Sequence, residues 1–220
     1  MLFKATVTAS SLHVRQGPGS SYDSLGFVHM NDVLAVHDLD GSGTWVRVET
    51  TVTGEGWCSA KYLRPSADGN AFPWLAIAAA EVGVREYPGA STHPRILQYL
   101  ASVDNLGQFD RSSDETAWCS CFMNWCVERS QINGTNSAWA RSWHNWRQGL
   151  DDRVAIGPIA VFERNTPNAH GGHVGICVAQ SDDQMLLLGG NQSNAVRYQW
   201  YPLDGTRGNT SYRLLSLRGL

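Results

Sequence analysis

The feature that most limits how this chain can fold is a change of hydrophobic period near residue 66. Before it, short pieces alternate apolar and polar residues between turns: Ala5-Thr-Val-Thr, Leu12-His-Val-Arg, Leu25-Gly-Phe-Val-His-Met, Val33-Leu-Ala-Val-His, Thr44-Trp-Val-Arg-Val-Glu and Gly54-Glu-Gly-Trp-Cys. Side chains alternate across a strand with period two, so several such pieces at close spacing predict a small β-barrel over residues 1–66. Trp45 and Trp57 are expected to fill its core, and Tyr22 and Tyr62 are candidates for lining a groove. Residues 67–72 are mostly small and polar and read as a linker.

From residue 73 the pattern turns helical. Pro73-Trp-Leu-Ala-Ile-Ala-Ala-Ala-Glu-Val82 has Pro at a first helical position and Gly83 as its stop. Pro94 to Leu100 reads as a second helix, a third runs through Cys119, and a fourth is expected over Ser137–Trp146. After Gly149 the pieces are strand-like: Ile159 to Glu163, His173 to Ala179, Met185 to Leu188, Val196 to Tyr201 and Ser211 to Ser216. Helices followed by consecutive strands on short turns predict an α+β domain over residues 73–220, with helices packed on an antiparallel sheet.

Thr116-Ala-Trp-Cys-Ser-Cys-Phe-Met-Asn-Trp-Cys126 is the stretch with the most chemistry. Asp114, Glu115 and Thr116 suit a cap or first turn, and Phe122, Trp125 and Cys126 recur at helical spacing. Cys119 is thereby expected at the start of a helix, where unpaired N–H groups and the helix dipole favour the thiolate, the nucleophilic form. Gly171-Gly-His-Val-Gly-Ile reads as a glycine turn feeding a strand with His173 at its start. Gln184 to Gly189 reads as the next strand, with Asn191 at or past its end. Ser181-Asp-Asp-Gln suits the hairpin between them and brings His173 and Asn191 to one end of the sheet. The expected constellation is nucleophile Cys119, base His173 and orienter Asn191.

Other residues compete for these roles. Cys121 points about 200° round the helix from Cys119. His170 sits in a Pro-Asn-Ala-His-Gly loop, and His144, among Trp143 and Trp146, reads as a packing or groove residue. Cys58 and Cys177 read as core. Trp118 either packs beside Cys119 or lines the cleft; Ser120 and Gln192 are the further candidates for contacting substrate, and Gln192 could also replace Asn191. Cys119-x-Cys121-x4-Cys126 invites a zinc reading, but Cys119 and Cys126 on one helix are about 10 Å apart, too far for two ~2.3 Å ligand bonds. No metal or cofactor is expected.

The formal net charge is −3 with basic residues scattered, nearly all of them Arg, which makes nucleic acid a poor partner. No apolar run approaches the ~20 residues of a membrane span, so no membrane partner is expected. Met1-Leu-Phe-Lys-Ala-Thr-Val-Thr has no basic-then-apolar pattern, so no secretory signal is expected. Five cysteines without framework spacing suit a reduced compartment.

Leu12-His-Val-Arg-Gln-Gly-Pro-Gly19, Tyr22, Gly26, Trp45-Val-Arg-Val48 and Gly56-Trp-Cys-Ser-Ala-Lys-Tyr-Leu63 resemble the bacterial SH3-like domain, with His13 where Asn is usual. The resemblance implies a module for targeting or recognition, often of cell wall. The second half resembles the papain-like wall-lytic enzymes of the CHAP group (cysteine, histidine-dependent amidohydrolases/peptidases). The matching pieces are Pro73 to Ala78, Glu81-Val-Gly-Val-Arg-Glu86, His93 to Leu97, Glu115 to Phe122, Ala140-Arg-Ser-Trp, Gly172-His-Val-Gly and Leu188-Gly-Gly-Asn-Gln. The resemblance implies Cys119 as nucleophile, His173 as general base, Asn191 as third member and peptidoglycan as substrate. Two departures are Pro158, where the group usually has Asp after Gly157, and Asn191, where relatives often carry Glu.

Three classes of function follow. One is a peptidoglycan amidase or endopeptidase with a wall-targeting barrel. A second is a papain-like protease or acyltransferase on another substrate, and the third is a non-catalytic wall-binding protein. A chain made in the cytoplasm without a signal would act on the wall after release or delivery, as an endolysin or a lytic effector, with a holin, a delivery machine or an immunity protein as partners.

Overall fold

The computed structural model describes residues 1–66, 72–89, 91–151, 156–167 and 169–220. The first 65 residues form β1 (Phe3–Val7), β2 (Ser11–Arg15), β3 (Ser24–His29), β4 (Val33–Leu39), β5 (Trp45–Thr50), β6 (Gly54–Ser59) and β7 (Leu63–Pro65). They pair antiparallel in the order β3-β2-β6-β5-β4-β1-β7. Val14, Val36, Val46, Val48 and Cys58 are fully buried, as the alternation predicts.

The same alternation corrects the expectation for two tryptophans. In β5 the buried positions are Val46 and Val48, so Trp45 and Arg47 point outward; Trp57, opposite Arg47, is half-buried beside them. Neither indole belongs to the core. Trp45 and Tyr62 instead border a groove of about 450 Å³ with Leu12, His13 and Arg15, whereas Tyr22 folds over Gly17 outside it.

The second half holds α1 (Trp74–Ala80), α2 (Pro94–Leu100), α3 (Cys119–Arg129), β8 (Gln148–Leu150), β9 (Ile159–Thr166), β10 (Ala169–Gln180), β11 (Gln184–Gly189), β12 (Arg197–Pro202), β13 (Asp204–Arg207) and β14 (Thr210–Gly219). The antiparallel sheet runs β12-β11-β10-β9-β14-β13, with β8 pairing β14 at one end. Strand content is larger than expected and helix content smaller. The fourth helix is a short 3-10 segment, Ala140–Asn145, which turns Trp143 into the core and ends at Trp146 in extended conformation. The expected linker over 67–72 lies outside the described residues except for Phe72, whose ring packs on Trp74.

β9, β10 and β11 are buried on both faces. Ile159, Val161, Val174, Ile176, Leu186 and Leu188 join α1–α3 in the main core; Ala160, Phe162, Cys177, Leu187 and Tyr201 form a second, smaller core. This explains why these strands read as near-continuous apolar runs without clean alternation. α3 lies across the first of these faces with Cys121, Phe122, Met123, Cys126 and Val127 inaccessible to solvent.

The two halves are packed together. Phe3 stacks on Tyr198 at 5.8 Å. The β4–β5 loop docks on β12: Tyr198 N–H donates to Gly43 O at 3.0 Å, and Arg197 Nη2 donates to Gly41 O at 2.6 Å. Gly43 has φ +65°, and a Cβ there would lie 2.0 Å from Tyr198 O, so this approach requires glycine.

Candidate active site

Cys119 is the first residue of α3. The residue before it, Trp118, sits outside helical conformation and makes no capping bond with its side chain. The caps expected from Asp114, Glu115 and Thr116 are absent: Glu115 is exposed, and the other two side chains are engaged elsewhere. Asp114 Oδ2 accepts from His93 N–H at 2.8 Å, and Thr116 Oγ1 donates to Asp110 O at 2.8 Å. The first turn of α3 is thereby left with free N–H groups beside the thiol. Burial pushes the Cys119 thiol above its ordinary value, while the Val174 and Ser120 N–H groups, the Arg164 guanidinium and its own N–H pull it down. Burial prevails, so the thiol stays above its ordinary value.

His173 is the fifth residue of β10, not its first. The strand begins at Ala169, so His170, expected in a loop, is also a strand residue; it is exposed, with Nδ1 3.0 Å from Asn165 Oδ1. His173 pairs with Phe162 across β9 and stacks on Tyr201 at 4.8 Å and 25°. Burial lowers its pKa to about 4; the bond to Gln192 raises it, and Arg164 and Arg207 lower it further.

The β10–β11 pairing places Ile176 opposite Leu188, so the turn after Gly189 returns level with His173. In this turn Asn191 has φ +53°, and Ser193 and Asn194 are also left-handed. Gln192 N–H donates to Ala195 O at 3.0 Å, and Glu86 N–H to Asn194 O at 2.9 Å, tying the turn to the segment after α1. The turn aims Gln192, not Asn191, at the imidazole: Gln192 Oε1 lies 3.0 Å from His173 Nε2. Gln192 Nε2 donates to Leu187 O at 3.3 Å and Arg197 O at 2.5 Å. With both its amide hydrogens directed at carbonyls, Gln192 offers only its oxygen to His173. His173 Nε2 therefore carries the proton, and Nδ1 is the free base.

Cys119, His173 and Asn191 share one cleft of about 310 Å³, together with Ala117, Gly172 and Ser193. Arg164, Asn194, Gln199, Tyr201, Arg207 and Tyr212 complete its wall. The three residues expected to meet substrate, Trp118, Ser120 and Gln192, are all buried. Gln192 is fully buried behind His173. Ser120 Oγ donates to Ser137 O at 2.7 Å and accepts from Trp143 Nε1 at 2.9 Å, which pins α3 to the 3-10 segment. Trp118 is fully buried, and its Nε1 donates to Glu86 Oε1 at 2.7 Å. Trp118 and Ser120 face inward because the first turn of α3 lies flat on the core, leaving only the Cys119 edge toward the cleft.

The competing cysteines are core residues: Cys58, Cys121 and Cys177 are inaccessible, and burial pushes each thiol up to about 12. His144 Nδ1 lies 3.0 Å from Ser216 Oγ, away from the cleft. Pro158 follows a Gly157 with φ +116° whose O accepts from Trp74 Nε1 at 2.8 Å, so the altered turn is anchored to α1. Among the described residues, no group of three or more His, Cys, Asp or Glu could hold a metal ion. Arg164, Tyr201, Arg207 and Tyr212 carry no local sequence signal; β9, β12, β13 and β14 bring them to the cleft across the sheet.

Residues 10–64 match the model of the bacterial SH3 domain, and residues 111–191 match that of the CHAP domain. No curated protein sequence matches this chain. Several solved structures resemble it at low identity, three of which follow. NlpC2 from Trichomonas vaginalis is 19% identical over 99% of this chain and 72% of its own, with a TM-score of 0.40. NlpC1 from the same organism is 15% identical over 99% and 69%, with a TM-score of 0.39. An NlpC/P60 family protein from Bacillus cereus ATCC 10987 is 13% identical over 96% and 63%, with a TM-score of 0.34.

Proposed function

We propose that this chain, with its bacterial SH3 and CHAP domains, hydrolyses an amide bond of peptidoglycan through Cys119. One observation carries the reading. Cys119, at the open start of α3, and His173, with its tautomer set by Gln192, line the same small cleft. The CHAP match over 111–191 supports it from outside the geometry.

His173 Nδ1 takes the proton from Cys119 Sγ, and the thiolate attacks the carbonyl carbon of a stem-peptide or sugar–peptide amide. N–H groups at the start of α3 offer hydrogen bonds to the oxyanion of the tetrahedral intermediate. The C–N bond breaks, and the leaving amine takes the proton from the His173 imidazolium. Water, deprotonated by His173, then attacks the thioester and releases the acid, and the proton returns to the Cys119 thiolate. In this mechanism Gln192 is the positioning residue for His173 in the place assigned to Asn191 from sequence, and Asn191 faces substrate. Tyr201, stacked on the imidazole, holds its plane.

The SH3 half serves as a wall-recognition module, with Trp45 and Tyr62 beside its groove offering aromatic surface. No helix among the described residues is long and apolar enough to cross a membrane. The substrate of this reading, peptidoglycan, lies outside the cytoplasm.

The test is digestion of purified peptidoglycan by wild type and Cys119→Ala, with product masses and new termini identified. Intact stem peptides freed from glycan identify an amidase, and new amino termini within stems identify an endopeptidase. Sedimentation of both proteins with walls and no released product would overturn the catalytic reading.

A further inference from the structure

The cleft has an unbalanced charge. Arg164 and Arg207 line it, and no Asp or Glu among the described residues does. Arg164 follows Glu163 in β9, and alternation sends the two side chains to opposite faces. Glu163 is engaged by Arg213 at 2.7 Å and Arg141 at 4.0 Å. Arg164 makes no ion pair among the described residues. Arg207 closes β13 and also lacks one; its guanidinium lies 5.7 Å from the centre of the Tyr201 ring, the same ring that stacks on His173. Both guanidiniums act on His173, and Arg164 acts on Cys119 as well, so both positive charges are within electrostatic reach of the reacting atoms.

Two unpaired cations converging on one small cleft repel each other and disfavour a protonated base. An anion between them would relieve both effects. A guanidinium presents paired donors that match a carboxylate, and a charge-assisted bond of this kind is roughly twice as strong as a neutral one. We propose that Arg164 and Arg207 form a subsite for a free carboxylate of the substrate, next to the amide that Cys119 attacks. This rests on the hydrolase reading and narrows it: stem peptides with a free carboxylate beside the scissile bond are preferred over those carrying a carboxamide there. The two groups are close in size, so charge, not shape, is the basis of selection.

The experiment compares a pair of synthetic stem peptides that differ only by carboxylate or carboxamide next to the cleaved bond. Wild-type protein and the Arg164→Gln/Arg207→Gln double variant are assayed on both for kcat/KM. Wild type is expected to favour the carboxylate by about 10- to 100-fold, the range of charged hydrogen bonds, and the double variant to bring the ratio close to one. Arg164→Lys/Arg207→Lys, which keeps the charge, should restore part of the preference. Equal cleavage of both peptides by wild type, or an equal loss on both in the double variant, would overturn the subsite and leave the hydrolase reading intact. Cleavage of neither peptide, nor of whole peptidoglycan, would overturn the hydrolase reading and the subsite with it.

Discussion

Gln192 holds His173 through a bond whose direction is fixed. Its Oε1 lies 3.0 Å from His173 Nε2, while its Nε2 is committed to the carbonyls of Leu187 and Arg197. The amide cannot turn over without setting N–H groups against an N–H and oxygen against oxygen. Arg197 in turn donates to Gly41 O in the first domain, so the barrel braces the strand that braces Gln192.

Gln192→Ala should therefore lower kcat by about 10- to 100-fold, part of what a positioned general base contributes. Asn191→Ala should act mainly on KM, because it leaves the His173 bond in place. Steady-state kinetics on a soluble muropeptide separates the two. Equal kcat losses would return Asn191 to the orienting role.

Burial holds His173 near pKa 4 against an ordinary value of 6.5. The folded protein thus binds fewer protons than the unfolded chain between these values. The stability from keeping His173 neutral is fully present above about pH 6.5 and is lost as pH falls toward 4, to a total of about 3 kcal/mol. Thermal melts from pH 7 to pH 4 should fall more steeply for wild type than for His173→Phe.

The acidic limb of kcat/KM follows from the same shift. In the proposed mechanism neutral His173 is the working base, so activity should persist to about pH 4–5. Gln192→Glu would set a carboxylate beside Nε2, favour the imidazolium and move the limb upward. A limb near pH 6.5 in wild type would contradict the buried, neutral His173.

Cys119 is slightly accessible, at 6%, while the other four thiols are at 0%. Mild alkylation with iodoacetamide should place the first adduct on Cys119, by peptide mass mapping, and abolish hydrolysis. Cys121→Ala should keep activity, at a cost set by the small cavity it leaves.

Gly190 lets the turn pass under α3: a Cβ there would lie 2.6 Å from Trp118 and 2.7 Å from Phe122. Gly190→Ala should cost about 1–3 kcal/mol by overpacking and misplace Asn191 and Gln192. Calorimetry and kcat should fall together. At the domain contact, Gly43→Ala should lift the β4–β5 loop off Tyr198, lowering the melting temperature without a change in the first domain's own core.

The sequence by itself determined what local physics can encode. Period-two alternation marked six of the seven strands of the first half, and Pro73, Pro94 and the apolar spacing around Phe122 marked three helices. Cys119 was legible as a helix-start thiol and His173 as a strand residue, because both follow from neighbours within a few positions. The tertiary structure decided the rest. The fourth helix became a 3-10 turn because Trp143 reaches Ser120 on α3, a contact between residues 23 apart. Asn191 and Gln192 are adjacent and similar in chemistry; three left-handed residues in the turn and two carbonyls from other segments choose which one meets His173. Trp118, Ser120 and Gln192 proved to be core, while Arg164, Tyr201 and Arg207 reached the cleft, because sheet pairing selects which side chains face inward once distant strands have met.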